Sequence, residues 1–158
     1  MDVKGDLINA TFEPYEKYSP YGVKMISRPF LEDGVLKTIH GNTRLMRYMG
    51  LEPIGTYNCI KVREGSMPFE NMLAGKVLHV VKFSDFHVDE VTGDFGSEIR
   101  LGYLYDGEGN VTCVTGGSVT GNVKEVMKDM RLSIEKYSFA LYEGPKAIFM
   151  KNVTVAGE

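Results

Sequence analysis

Residues 97–115 read Ser97-Glu98-Ile99-Arg100-Leu101-Gly102-Tyr103-Leu104-Tyr105, then Asp106-Gly107-Glu108-Gly109-Asn110, then Val111-Thr112-Cys113-Val114-Thr115. The flanks are rich in aliphatic, aromatic and threonine side chains, which suit a pleated and half-buried backbone. The centre is made of turn residues: glycine reaches positive φ without steric cost, and Asp and Asn bond to nearby backbone. Two strand-like runs around such a centre are a β-hairpin signal.

Moving outward, the same alternation of short runs and turn residues recurs. The 18 glycines are spread over the whole chain, as many short strands joined by tight turns require. Strands are expected over 7–12, 22–27, 35–39, 57–62 and 76–83, with a last one over 147–155. Glu32-Asp33-Gly34 is a turn signal, and residues 15–21 and 84–96 read as polar loops. Three short helices are interspersed. The first is capped by Asn42 or Thr43, carries the apolar stripe Leu45, Met46 and Met49, and ends at Gly50. The second covers 67–74, with Ser66 as cap and Pro68 in the first turn, where its missing N–H has no intrahelical partner. The third is capped by Asn122, with Glu125 at capping-box spacing and Val123, Val126, Met127 and Met130 on one face. Gly116-Gly117-Ser118 is expected to break or bulge the strand before it. The fold class is therefore α+β, β-rich, with mainly antiparallel strands and about three short helices. No repeat, low-complexity tract or linker interrupts 1–158, so a single domain is expected.

Composition narrows the function. Of the 158 residues 43% are hydrophobic and 25% charged, and the formal net charge is -3. A chain of this size supports one core. It lacks the basic block of a nucleic-acid footprint. No apolar run approaches the ~20 residues of a membrane span. Met1-Asp2-Val3-Lys4-Gly5-Asp6 has no apolar stretch behind it, so a signal peptide is not expected. The two cysteines, Cys59 and Cys113, are too few for a disulfide scaffold and read as free thiols of the cytoplasm.

No complete catalytic set emerges from the residues. The three histidines, His40, His79 and His87, lack a partner at ligand spacing, whereas zinc needs three or four converging ligands. No metal ligand and no catalytic residue is assigned. The acidic stretch 85–94 fits no frame of a calcium loop, which needs glycine sixth and glutamate twelfth. It is either a solvated turn or an element end presenting Thr92 and Asp94 to a substrate. Gly116-Gly117-Ser118-Val119-Thr120-Gly121 lacks the spacing of a phosphate loop. Cys113, in the middle of a strand, is expected to be a buried or half-buried inert thiol. No Gly-x-Ser-x-Gly elbow occurs.

Three stretches, in this order and spacing, resemble the C-terminal domain of the TldD/PmbA family. They are Asp33-Gly34-Val35-Leu36-Lys37 with Asn42-Thr43-Arg44 and Gly50; Val88-Asp89-Glu90-Val91-Thr92-Gly93-Asp94-Phe95 with Gly102-Tyr103-Leu104; and Thr120-Gly121-Asn122-Val123-Lys124-Glu125-Val126 with the terminal Val155-Ala156-Gly157. The likeness runs from about residue 20 to the end. Val-Asp-x-Val-Thr-Gly-Asp-Phe is its most specific piece.

The resemblance implies proteolysis by a cytoplasmic zinc metallopeptidase. Such enzymes work as a homodimer, or as a heterodimer with an inactive partner. They are linked to peptide-antibiotic maturation, antitoxin degradation and the label modulator of DNA gyrase. In the family, zinc is held by a His-Glu-x-x-x-His helix and a cysteine near the C-terminus. This sequence has neither: Tyr142-Glu143-Gly144-Pro145 stands where the cysteine is expected. No cofactor is therefore assigned to this chain, although zinc is expected in the complete family enzyme. The resemblance makes Asp89, Thr92, Gly93, Asp94, Phe95, Gly121 and Asn122 candidate substrate-binding positions. They would meet a peptide or unfolded protein rather than nucleic acid or membrane, by strand addition at a sheet edge. The alternative is a metal-free, non-catalytic partner or scaffold module of such a complex.

Overall fold

The computed structural model describes residues 4–157. Along the chain come β1 (Ala10–Glu13), β2 (Arg28–Glu32), β3 (Val35–Leu36), α1 (Thr43–Tyr48) and β4 (Cys59–Val62). Then follow α2 (Phe69–Met72), β5 (Lys76–Phe83), β6 (His87–Val88), β7 (Asp94–Asp106), β8 (Val111–Val114), β9 (Ser118–Asn122), α3 (Val123–Val126) and β10 (Arg131–Leu132). The remainder forms β11 (Lys136–Phe139), β12 (Tyr142–Pro145), β13 (Ile148–Phe149) and β14 (Thr154–Ala156). The chain is β-rich α+β, as its sequence predicts, and almost every pairing is antiparallel. No helix among the described residues is long and apolar enough to cross a membrane.

The strands gather into two compact units. One is formed by Leu7–Glu64 with Lys136–Lys146, and the other by Met1–Asp6, Gly65–Glu135 and Ala147–Glu158.

The first unit is a six-stranded sheet in the order β11-β12-β4-β1-β2-β3. β1 alternates, burying Ala10 and Phe12, as period-two side-chain placement demands. Phe12 stacks on Phe30 with ring centroids 4.4 Å apart and on Tyr57 at 5.3 Å. The Tyr57 hydroxyl donates to the Ile26 carbonyl at 2.7 Å. Gly55 has φ +87, which strongly favours glycine, and a Cβ there would also crowd the Met25 side chain at 3.2 Å. β12 joins β4 in parallel, Tyr142 opposite Ile60. The β11–β12 hairpin was not foreseen, because both strands are short and Ala140 turns between them with φ 49.

α1 begins as its sequence predicts. The Asn42 side chain accepts the Arg44 N–H, and Gly50 ends it with φ +72. The expected apolar stripe is corrected: Met46 alone is buried in the helix, whereas Leu45 and Met49 are exposed. Around the helix Leu45 stands ~100° and Met49 ~60° from Met46, and on this helix of six residues the core covers the Met46 side alone.

In the second unit the central element is β7. Residues Lys76 to Phe83 of β5 pair with its later part, as does β8. Its earlier part pairs with β6 and β9. The stretch expected as a loop to residue 96 thus becomes β6 and the start of β7. Phe95 is buried there, which offsets the polarity of its neighbours. Gly116 and Gly117, with φ +78 and +74, turn the chain into the unforeseen β9. The expected last strand is split into β13 and β14, with Asn152 at φ 59 between them.

Two caps differ from expectation because other partners take over. The Phe69 N–H of α2 donates to the Glu135 carboxylate at 2.9 Å. Ser66, the expected cap, instead donates its hydroxyl to Asp6 at 2.7 Å. Asp6 also accepts the Leu132 N–H at 2.7 Å and faces Arg131 at 3.5 Å. Burial alone would raise the Asp6 carboxyl, but the bonds from Leu132 and Ser66 and the Arg131 charge outweigh it and hold the group below its usual range. Glu125 does not close a capping box and pairs with Lys128 instead.

His40 packs edge-on against Phe12, centroids 4.4 Å apart, and its Nδ1 accepts the Tyr57 N–H at 3.1 Å. Burial lowers its pKa. The unfolded chain takes up this proton near the ordinary imidazole value of about 6.5, the folded chain only at lower pH. Stability is therefore full above that value and is lost as pH falls through it. The urea midpoint should drop between pH 7.5 and pH 5. The drop should shrink in His40→Gln, whose amide oxygen accepts the same N–H without titrating. An equal drop in both proteins would remove His40 from this role.

Candidate functional site

β6 and β7 are joined by Asp89-Glu90-Val91-Thr92-Gly93, a reversal that the backbone and its own side chains close. The Asp89 N–H donates to the Asp94 carbonyl, and the Gly93 N–H to the Asp89 carbonyl, both at 2.8 Å. Gly93 has φ +83, a conformation that strongly favours glycine. Asp89 Oδ1 accepts the N–H groups of Val91 and Thr92, each at 2.8 Å. These bonds, from Thr92 and then Val91, hold the Asp89 carboxyl below its ordinary value. Thr92 Oγ1 accepts the Asp94 N–H at 3.2 Å.

The turn is fastened to the β9–α3 junction. Asn122 Nδ2 donates to Asp94 Oδ1 at 2.7 Å and to the Thr92 carbonyl at 3.2 Å. Its Oδ1 accepts the Lys124 N–H at 3.0 Å, so one side chain caps α3 and clamps the turn. The Asn122 bond, followed by that of Thr92, lowers the Asp94 carboxyl. The Val123 N–H reaches the Gly93 carbonyl at 2.8 Å. Phe95 stacks on Phe86, centroids 5.4 Å apart. Opposite it in register lies Gly121, where a Cβ would stand 2.7 Å from Phe95 Cζ.

All seven candidate positions, Asp89, Thr92, Gly93, Asp94, Phe95, Gly121 and Asn122, thus converge on one corner of the sheet. The polar ones among them bond chiefly to one another. What they leave outward is the tip, Glu90 and Val91, with Val91 89% exposed. Neither was singled out from sequence. The signal was available in Asp89 with Thr92 three residues on, the spacing of a side-chain-capped turn whose middle residues must face away. β6 pairs with β7 alone among the described strands, so its other side is an open edge. The stretch from Asp85 to Asp94 holds four acidic residues and no Lys or Arg. Within it His87 Nε2 stands 3.0 Å from Asp85.

In the six-stranded unit a cavity of about 310 Å³ is lined by residues including Lys61, Arg63, Glu64, Lys136 and Glu143. Lys61 and Glu143 pair at 2.8 Å and Lys136 and Glu64 at 3.2 Å, so most of its charge is neutralised within it.

Among the described residues no group of three or more His, Cys, Asp or Glu is placed to hold a metal ion. Nδ1 of His40 is engaged by Tyr57, and His87 faces Asp85. Cys113 is exposed on β8 rather than buried: its neighbours Val111 and Thr112 are exposed as well, so neither face of this short strand is well covered. These residues do not fit a zinc site.

The family model of the PmbA/TldA metallopeptidase C-terminal domain matches residues 14–157. Among solved structures, a proposed modulator of DNA gyrase from Bacteroides thetaiotaomicron superposes with TM-score 0.80 at 22% identity, over 99% of this chain and 38% of that one. TldE from Thermococcus kodakarensis gives TM-score 0.78 at 15% identity, over 99% and 41%. A proposed modulator of a DNA gyrase from Thermotoga maritima gives 0.70 at 18%, over 98% and 40%. The chain thus spans about two-fifths of the length of each of these structures, and at such identities the likeness is one of fold. Comparison with curated proteins gives no match.

Two substitutions test the corner. Gly121→Ala should cost about 1–3 kcal/mol by overpacking against Phe95. Asn122→Ala should cost about 1–2 kcal/mol through the lost cap and clamp. Urea denaturation reads both, and wild-type midpoints would refute the packing described. Separately, purified protein dialysed against zinc-free buffer should retain far less than one zinc per chain by elemental analysis. Stoichiometric retained zinc would contradict the ligand assignment.

Proposed function

The chain belongs to the PmbA/TldA metallopeptidase C-terminal domain family, and on that premise we propose that it serves peptide processing as the C-terminal domain of a zinc metallopeptidase. In this reading it lines the substrate groove and contributes to a homodimer or to a heterodimer with a family subunit, in the cytoplasm. Its substrate is a peptide or an unfolded protein. The zinc belongs to residues outside this chain, since those within it do not converge on an ion.

The observation that carries the reading is the corner where the 89–95 turn, Gly121 and Asn122 meet beside the open side of β6. A sheet edge offers main-chain N–H and C=O groups to an extended peptide, which adds as a strand. The turn is held by its own bonds, so it pays little ordering cost when a substrate arrives. Asp94 is a positioning residue: through Asn122 it holds the start of β7, and so fixes the register at which β6, paired to β7, meets the peptide. A bulge or slip at this point would move every main-chain partner by one position.

A second reading, a metal-free partner or scaffold module without catalysis, has its own support. Tyr142-Glu143-Gly144-Pro145 forms β12, bonded between β11 and β4. The stretch where a cysteine ligand is expected is thus built into a sheet interior.

In a complex reconstituted with a zinc-bearing family subunit, Asp94→Ala should lower kcat/KM for peptide cleavage by about tenfold, or ~1.4 kcal/mol of transition-state stabilisation. Circular dichroism and an unchanged dimer fraction should accompany the loss. Unchanged cleavage would remove the positioning role.

A further inference from the structure

Helix α1 presents its apolar face to solvent. Leu45, Tyr48 and Met49 lie at i, i+3 and i+4 and are 54%, 89% and 56% exposed, whereas Met46, ~100° round the helix from Leu45, is 3% exposed. A surface helix ordinarily turns such a face inward. Ile39 and Leu51, just before and after the helix, are exposed as well. The helix itself carries Arg44 and Arg47 and no Asp or Glu; Glu52 lies just beyond Leu51, and Lys37 is paired with Glu32 at 3.5 Å. The surface is apolar with a basic rim, on a chain whose formal net charge is -3.

The complementary surface is present on the same polypeptide. The β6–β7 turn carries exposed Val91 at its tip, next to Glu90, in a stretch that holds acids and no Lys or Arg. We infer that the exposed face of α1 in one copy of this chain receives the β6–β7 turn of a second copy. Val91 inserts among Leu45, Tyr48 and Met49, and Glu90 meets Arg44 and Arg47. In a two-fold pair the contact is made twice, each copy offering one turn and one helix face to the other. It rests on the self-association in the proposed function and identifies the surfaces that carry it. Opposed charges set register and speed encounter, and the closed turn loses little freedom on docking. Copies of net negative charge would otherwise repel. A contact this small belongs to the weak, concentration-dependent class.

Sedimentation equilibrium of the full chain tests this at low and high salt. Wild type should self-associate reversibly, more weakly in 0.5 M NaCl, where exposed charges are screened. Val91→Asp and the double variant R44E/R47E should each weaken association at least tenfold, with circular dichroism unchanged. Mixing the two variants leaves one intact helix face and one intact turn, so a 1:1 complex should form and grow no further. A monomeric wild type, variants that associate as wild type does, or a mixture that stays monomeric would each overturn the inference. So would a monomeric chain whose α1 binds vesicles of phosphatidylcholine and phosphatidylglycerol in an Arg44- and Arg47-dependent way. Association that survives both variants would leave the proposed dimer standing on another surface. The Asp94 cleavage measurement is independent of all these outcomes.

Discussion

Every backbone N–H and C=O taken from water must find a partner, and β7 is where that requirement presses hardest. Its thirteen residues are too long for any one neighbour to cover. Each flank is served by two strands in relay: β5 then β6 on one, β8 then β9 on the other. The relay imposes local geometry. β5 shifts register between Val80 and Lys82 and again before Phe83. Gly102 leaves little room for a side chain, since a Cβ would crowd both the His79 carbonyl and Val114 at 3.2 Å. The 89–93 turn exists because β6 must fold back onto the start of β7, and α3 begins where β9 runs out.

Polar groups inside the second unit follow the same accounting. Ser133 is fully buried, and its hydroxyl donates to the Glu135 carbonyl at 2.9 Å while accepting the Ala147 N–H at 3.1 Å. Asp6 balances desolvation against several donors and a guanidinium. Carboxylates here are used as backbone caps: Asp6 for Leu132, Glu135 for Phe69, Asp89 for Val91 and Thr92. Such charge-assisted bonds are about twice as strong as neutral ones, which suits short elements that cannot bury much apolar surface.

What local chemistry decides was legible in the sequence. Asn42, Gly50, the 106–110 turn and Asn122 act where their residue types predict, because a cap or a turn involves only near neighbours. What distant pairing decides was not. β9, β11 and β12 are short and lack a strong alternating pattern, and they exist because another strand needs a partner. Ser66 looked like a cap until Asp6 claimed its hydroxyl, and Glu135 supplies that cap from far along the chain. The candidate corner was found through one motif and one helix entry, and the structure brings all seven positions together. Sequence did not show that their polar groups mostly bind each other, leaving Glu90 and Val91 outward. That depends on bond geometry within the turn. The direction of α1 was equally hidden: its periodicity names an apolar face but not which side the core lies on.

The parallel union of β4 with β12 bears on how the molecule is made. Ile60 and Tyr142 lie far apart in the chain, and at ~5–20 residues per second a ribosome delivers the second several seconds after the first. Throughout that interval one flank of β4 is without its neighbour. A nascent sheet with such a gap is a template for any passing extended segment. The Leu7–Glu64 portion therefore closes late in biosynthesis, and its vulnerability to misassembly is greatest just before the β11–β12 hairpin emerges.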